Sequence, residues 1–306
     1  MSISECNSAK DCGKAPDIGV LVACSIKSGS TYVSRILARY LDANLADSVL
    51  DYYGYREQNL HEWQIAPALG SRFVLHLHIK PYPPHLALIE RHGIKVVNLW
   101  RNLGDTILSL DDHILREHWA TSAVYIDNDP DYRSLPREAR HKFLIQYGLP
   151  WYISFYLAWR TVGEPEWLIR CNYEEMVRNK FAFFSRIIRA FGLECDDERL
   201  RKTLATDVPD KRFNVGIVGR SIEGLSENDK LLLERMLIEH PPLASCCTSC
   251  HGGPAVAAAS RRRSEGIEPP ERAAARKGGV RRPVSYGLLS CRGRRNRNSG
   301  TGRRGT

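Results

Sequence analysis

No apolar run in this sequence approaches the roughly 20 residues a membrane-spanning helix requires, and no hydrophobic leader follows Met1. A soluble, cytoplasmic protein without a membrane span is expected. Carboxylates do not cluster at metal-ligand spacing, so no metal is expected either. Glycine is missing where a nucleoside-triphosphate loop would need it. That loop reads GxxxxGK[ST], whereas here VACSI precedes Lys27, and Lys27 stands before Gly29 rather than after it. A small-molecule kinase using Mg-ATP therefore stays a weaker alternative. The nine cysteines are scattered and suggest reduced thiols, with Cys24 and Cys171 as small core residues of buried strands.

The charge is unevenly spread. The formal net charge is +9, yet from Ser245 onward 14 Lys and Arg face three Glu, leaving 30 basic against 32 acidic residues elsewhere. Basicity belongs to the tail. Residues 245–306 are rich in Arg, Gly, Ala and Pro with almost no apolar periodicity, and disorder is expected there. Cys247 to His251 matches a CxxCH haem-attachment pattern, and Cys246, Cys247, Cys250 and His251 are a possible zinc set. A solvated tail without specific nucleic-acid binding is the plainer reading. Residues 1–16 form a loose polar arm, and 17–244 the folded domain.

That domain is organised around Asp17 to Leu41. Ile18 to Ile26 is a near-continuous apolar run, as expected of a parallel strand buried on both faces. Val33, Ile36, Leu37, Tyr40 and Leu41 then fall on one face of a helix. Lys27-Ser28-Gly29-Ser30-Thr31 occupies the turn between them, where helix N–H groups and the positive end of the helix dipole converge. A cation, a glycine and three hydroxyls in such a turn make a phosphate cradle.

Two more strands follow. Arg72 to Ile79 carries His76 and His78 on one face, with His78 near the carboxyl end, where open α/β sheets bind ligands. His78 is the candidate catalytic base and His76 its alternative. Ile94 to Trp100 ends at Arg101, and Ser109 lies two helical turns beyond, a pairing suited to a second phosphate. Tyr52, Tyr53, Tyr55 and Trp63 either line an acceptor pocket or pack under a loop, and residues 119–135 form a possible lid. Pro136 to Val162 is expected to be helical with a break near Gly148 and Pro150, and Glu174 to Gly192 to be one amphipathic helix.

Taken in order, these segments resemble the sulfotransferase family, which uses 3′-phosphoadenosine 5′-phosphosulfate (PAPS). Lys27 to Tyr32 is similar to its 5′-phosphosulfate loop, and Arg101, Asn102, Asp105 and Ser109 to its 3′-phosphate motif. WLIRCNYEEM resembles the strand ending in Tyr-Glu-Asp, and FNVGIVGR the late glycine-containing phosphate loop. The resemblance implies an α/β fold, a mostly parallel sheet flanked by helices in a P-loop-NTPase-like architecture. It implies sulfuryl transfer from PAPS, without a metal, to a hydroxyl or amine of a small-molecule, glycan or lipid acceptor. Lys27 would stabilise the leaving phosphate, and Ser28, Gly29, Ser30, Thr31 and Tyr32 would hold it. Arg101, Ser109 and the Gly216 backbone would hold the 3′-phosphate, Tyr173 would contact the adenine region, and His78 would take the acceptor proton. Departures stand at Ile26 for Pro, Leu103-Gly104 for Pro-Lys, and Asn214-Val215 for Arg-Lys. The other alternative is a non-catalytic nucleotide binder acting through its basic tail.

Overall fold

The computed structural model describes residues 18–46, 58–116, 130–206 and 216–240. Residues 1–16, Tyr52, Tyr53, Tyr55, Asn214-Val215, residues 245–306 and most of the 119–135 segment lie outside them. In chain order the elements are β1 (Gly19–Cys24), α1 (Ser30–Leu41), β2 (Asn44–Leu45), α2 (Glu62–Ile65), β3 (Phe73–Leu77) and α3 (Pro83–Arg91). There follow β4 (Lys95–Trp100), α4 (Leu103–Arg116), α5 (Pro130–Ser134), α6 (Arg137–Phe143), α7 (Leu149–Arg160) and β5 (Leu168–Asn172). The last are α8 (Tyr173–Arg178), α9 (Lys180–Ala190), α10 (Asp197–Ala205), α11 (Ser221–Gly224) and α12 (Glu227–Ile238).

All strand pairs are parallel, in the order β2-β3-β1-β4-β5. Parallel strands need crossovers, and helices supply them on both faces, so β1 is covered twice. Alternation along β1 divides the core. Leu21 and Ala23 pack with α4, α6, α7 and α12, while Val20, Val22 and Cys24 pack with α1, α8, α9 and α10. Val20 to Cys24 are fully buried, and each large apolar side chain so removed from water contributes about 1.5–3 kcal/mol. Among the described residues no helix is long and apolar enough to cross a membrane.

The topology also fixes where a ligand would sit. After β1 the chain turns toward β2 and β3, and after β4 it turns the other way, toward β5. The loops leaving β1 and β4 therefore diverge from adjacent strands and leave a crevice at their carboxyl ends.

Two helix expectations are corrected. No break separates Pro136 from Val162. Residues 144–148 wind as a π-helical turn between α6 and α7, and Gly148 stays helical. The wider turn accommodates Pro150, which has no N–H to donate. Conversely, the helix expected from Glu174 to Gly192 is two helices. Asn179 is extended, and its side chain accepts from Ala182 N–H to cap α9.

Candidate active site

The cradle takes its shape from two left-handed residues. Lys27 has φ 66° and Gly29 φ 82°, and Gly29 caps α1. Ser28 is buried between them, and its hydroxyl donates to the Ser25 carbonyl at 2.6 Å. That hydroxyl braces the turn from within. The Ser30 carbonyl accepts from the Ser34 hydroxyl at 2.8 Å, and the Gly29 carbonyl accepts from Tyr32 and Val33 N–H. Tyr32 turns away toward α9, its ring 6.1 Å from that of Phe184 and under Lys180 Nζ at 4.7 Å.

Gly29 is also a point of close approach. A β-carbon there would lie 2.8 and 2.9 Å from two ring carbons of Tyr173. Tyr173, the first residue of α8, thus closes directly on the cradle. Its other neighbour is Arg101, whose guanidinium carbon stands 4.2 Å from the ring centroid. One aromatic ring joins the β1 loop, the β4 loop and the end of β5.

Arg101 is the most constrained group of the crevice. It is 5% exposed, donates from Nη1 to the Lys27 carbonyl at 3.4 Å and from Nη2 to the Ile217 carbonyl at 3.2 Å. Its nearest carboxylate, Asp105, is 4.0 Å away and already accepts from Gly219 N–H at 2.7 Å and Ser221 N–H at 2.8 Å. Burial lowers the Arg101 pKa, while Tyr173, Asp105 and Glu174 oppose the shift. Its Nε is buried with no hydrogen-bond partner among the described residues. A desolvated guanidinium with a donor unused and its nearest carboxylate at 4.0 Å has the chemistry to take an anion.

Three supports hold Arg101 there. Asn102 N–H donates to Glu174 Oε1 at 2.9 Å, and Asn102 Oδ1 accepts from Asp105 N–H at 3.1 Å, which caps α4. Burial holds the Glu174 pKa above the ordinary carboxylate value, and the Asn102 N–H hydrogen bond offsets only part of that rise. Gly104 lets the late loop seat, because a β-carbon would meet Ser221 Cβ at 2.8 Å. The departure from Pro-Lys to Leu103-Gly104 thus has a packing role. Gly216, within the late loop, stands one residue before the Ile217 carbonyl that Arg101 reaches. Ser109 is buried on α4, two turns beyond Arg101.

His78 follows β3 on the opposite side of β1 from Arg101. Its Nδ1 is 3.0 Å from the Cys24 carbonyl. A carbonyl only accepts, so Nδ1 carries the proton and Nε2 the lone pair. Its backbone N–H donates to Gln58 Oε1 at 2.6 Å. Burial brings His78 down to about 4, aided by the Lys27 charge and opposed by the Cys24 carbonyl. The imidazole is neutral at pH 7. His76 lies one step back on the same face, its ring 5.1 Å from that of His78 and perpendicular to it.

Sequence reasoning therefore named residues that the fold gathers from separate segments: Lys27 to Ser30, Arg101, Tyr173 and Gly216, with His78 reached through Cys24. It did not find Glu174 and Gln58, whose side chains anchor backbone far away in sequence. Asp105 was visible only as a motif position. Trp63 is 57% exposed rather than packed under a loop.

No family model and no curated protein matches this sequence. Solved structures do. A mouse sulfotransferase complexed with PAP aligns with TM-score 0.54 and 16% identity over 74% of this chain and 85% of its own. Retinol dehydratase with androsterone and the inactive cofactor PAP aligns with TM-score 0.51 and 14% identity, over 72% and 80%. The same enzyme with retinol and PAP gives TM-score 0.50 at 14% identity over the same shares. The fold is that of the PAPS-dependent sulfotransferases.

Proposed function

We propose that this protein transfers a sulfuryl group from PAPS to a hydroxyl or amine of a small-molecule, glycan or lipid acceptor. Arg101 carries the reading. A buried guanidinium with an unused Nε, stacked on Tyr173 and bonded to both flanking loops, suits a phosphate monoester beside the cradle. The neighbours crystallised with PAP support the same ligand class, and the retinol and androsterone complexes support a small-molecule acceptor.

PAPS supplies a sulfuryl group on a phosphate leaving group. The chain's own residues then have distinct tasks. The cradle from Ser28 to Thr31 and the amino end of α1 orient the 5′-phosphate. Lys27, in the left-handed turn, offsets charge developing on the bridging oxygen. Arg101, with Ser109 and the Gly216 backbone, holds the 3′-phosphate. Tyr173 packs between the two sites against the adenine region. His78 takes the acceptor proton at Nε2 while Nδ1 stays bonded to the Cys24 carbonyl, a contribution of about 10²–10⁴ in rate.

The test is calorimetric titration with adenosine 3′,5′-bisphosphate beside ATP with Mg²⁺. Micromolar or tighter binding of the bisphosphate without metal is expected. Binding of Mg-ATP alone would replace this reading with a kinase.

A further inference from the structure

The mechanism above uses His78 but leaves its two neighbours, Cys24 and His76, without a task. Ala23 stands level with Leu77 in the β1–β3 register, which brings Cys24 beside His78. One ligand atom from each of Cys24, His76 and His78 lies within 4.8 Å of the other two. Cys24 Sγ is 3.3 Å from His78 Nδ1, and the imidazoles meet edge to face at 5.1 Å. A tetrahedral zinc ion, with Zn–S of about 2.3 Å and Zn–N of about 2.0 Å, sets its donors roughly 3.3–3.7 Å apart. The Cys24–His78 pair already stands at that spacing, and the three donors together would have to close from within 4.8 Å.

We propose that Cys24, His76 and His78 bind a zinc-class divalent ion and that this binding switches off the proton acceptor at His78. The second half rests on the catalytic role assigned to His78 above. Thiolate and imidazole donors select zinc, cobalt or cadmium over magnesium or calcium. Binding moves the Cys24 thiol proton to solvent, forms one metal–sulfur and two metal–nitrogen bonds, and leaves the fourth position to water. Either nitrogen of His78 is lost as a base on coordination. Through Nε2 the reactive lone pair itself is used. Through Nδ1 the ring proton shifts to Nε2, and the acceptor becomes a donor. The Lys27 charge, felt at His78, opposes the cation.

The ligands come from two strands far apart in sequence, so spacing arguments could not find them. The test is cobalt(II) titration of the full chain carrying Cys246→Ser, Cys247→Ser and Cys250→Ser, which removes the clustered tail thiols from the readout. One equivalent should bind with a thiolate-to-cobalt absorption band that zinc displaces. Adding Cys24→Ser should abolish the band. His76→Asn should weaken binding beyond the about 10–100-fold that losing an outer partner costs. If Cys24→Ser does not fold, His76→Asn alone decides, since His76 is only half buried. No band, or one that survives Cys24→Ser or His76→Asn unchanged, overturns the site. One equivalent of zinc should cut sulfuryl transfer at least tenfold while bisphosphate binding is unchanged. Undiminished transfer with the site filled overturns the switch. Cobalt binding in a protein that transfers nothing even metal-free supports the site and refutes the transferase reading instead.

Discussion

Replacing Gly29 with Ala tests whether the cradle and the Arg101 site are mechanically one. The new β-carbon would lie 2.8 and 2.9 Å from Tyr173 ring carbons and 3.2 Å from Met176 Cε, well inside the 3.5–4.0 Å of ordinary carbon contacts. Left-handed backbone costs a non-glycine residue about 1–2 kcal/mol, and overpacking adds about 1–3 kcal/mol. A shift of Tyr173 away from Gly29 is expected to disturb its contact with Arg101, and a desolvated cation–π contact contributes about 2 kcal/mol. At 1.4 kcal/mol per decade, bisphosphate affinity should fall roughly 30-fold. Calorimetry of Gly29→Ala, Tyr173→Leu and the double variant, with thermal melts of each, separates the causes. If the ring collision carries the cost, removing the ring relieves it, and the cycle yields a coupling of about 1–3 kcal/mol. Strict additivity in both stability and binding would refute the argument and leave only backbone strain.

Arg101→Ala should weaken adenosine 3′,5′-bisphosphate roughly 10–150-fold, as expected when a hydrogen bond to a charged group worth about 1.5–3 kcal/mol is lost, yet adenosine 5′-phosphosulfate far less. Equal losses in two calorimetric titrations would remove Arg101 from the 3′-phosphate. His78→Ala should lower kcat by about 10²–10⁴ with bisphosphate affinity unchanged. A parallel fall in affinity would make His78 a packing residue. Asp111, paired with Arg140 of α6, offers a stability test. Burial pushes its pKa up, but hydrogen bonds from His141, Arg140 and Tyr132 outweigh this and bring it to about 2. The folded pKa is depressed, so the stabilisation is complete above the unfolded carboxyl range near pH 4 and is lost as pH falls toward 2. Asp111→Asn should be destabilised by about 3–5 kcal/mol at pH 7, with the difference in melting temperature from wild type shrinking across that window. A difference independent of pH would assign the cost to packing.

The sequence was most legible where one short segment decides the outcome alone. The β1 run and the helical face from Val33 to Leu41 have opposite periodicities, so the Lys27–Thr31 turn between them was fixed without any partner. Arg101 was visible for the same reason, as a cation at the end of an apolar strand. What could not be read was whatever depends on two segments meeting. Nothing in NYEEM says that Glu174 will accept from Asn102 N–H, or that Tyr173 will fill the space left by the missing side chain of Gly29. The division at Asn179 shows the same limit locally. The apolar spacing of Met176, Phe183, Phe184, Ile187 and Ile188 runs across it without interruption, because both helices bury one face against the same sheet. Only the asparagine's preference for hydrogen-bonding backbone ahead of it marks the boundary. The crevice is therefore specified twice. Local patterns set the loops at the ends of β1 and β4, and long-range packing through Tyr173 sets the distance between them. A phosphate-bearing ligand that needs both loops at once would be sensitive to the second, less legible term.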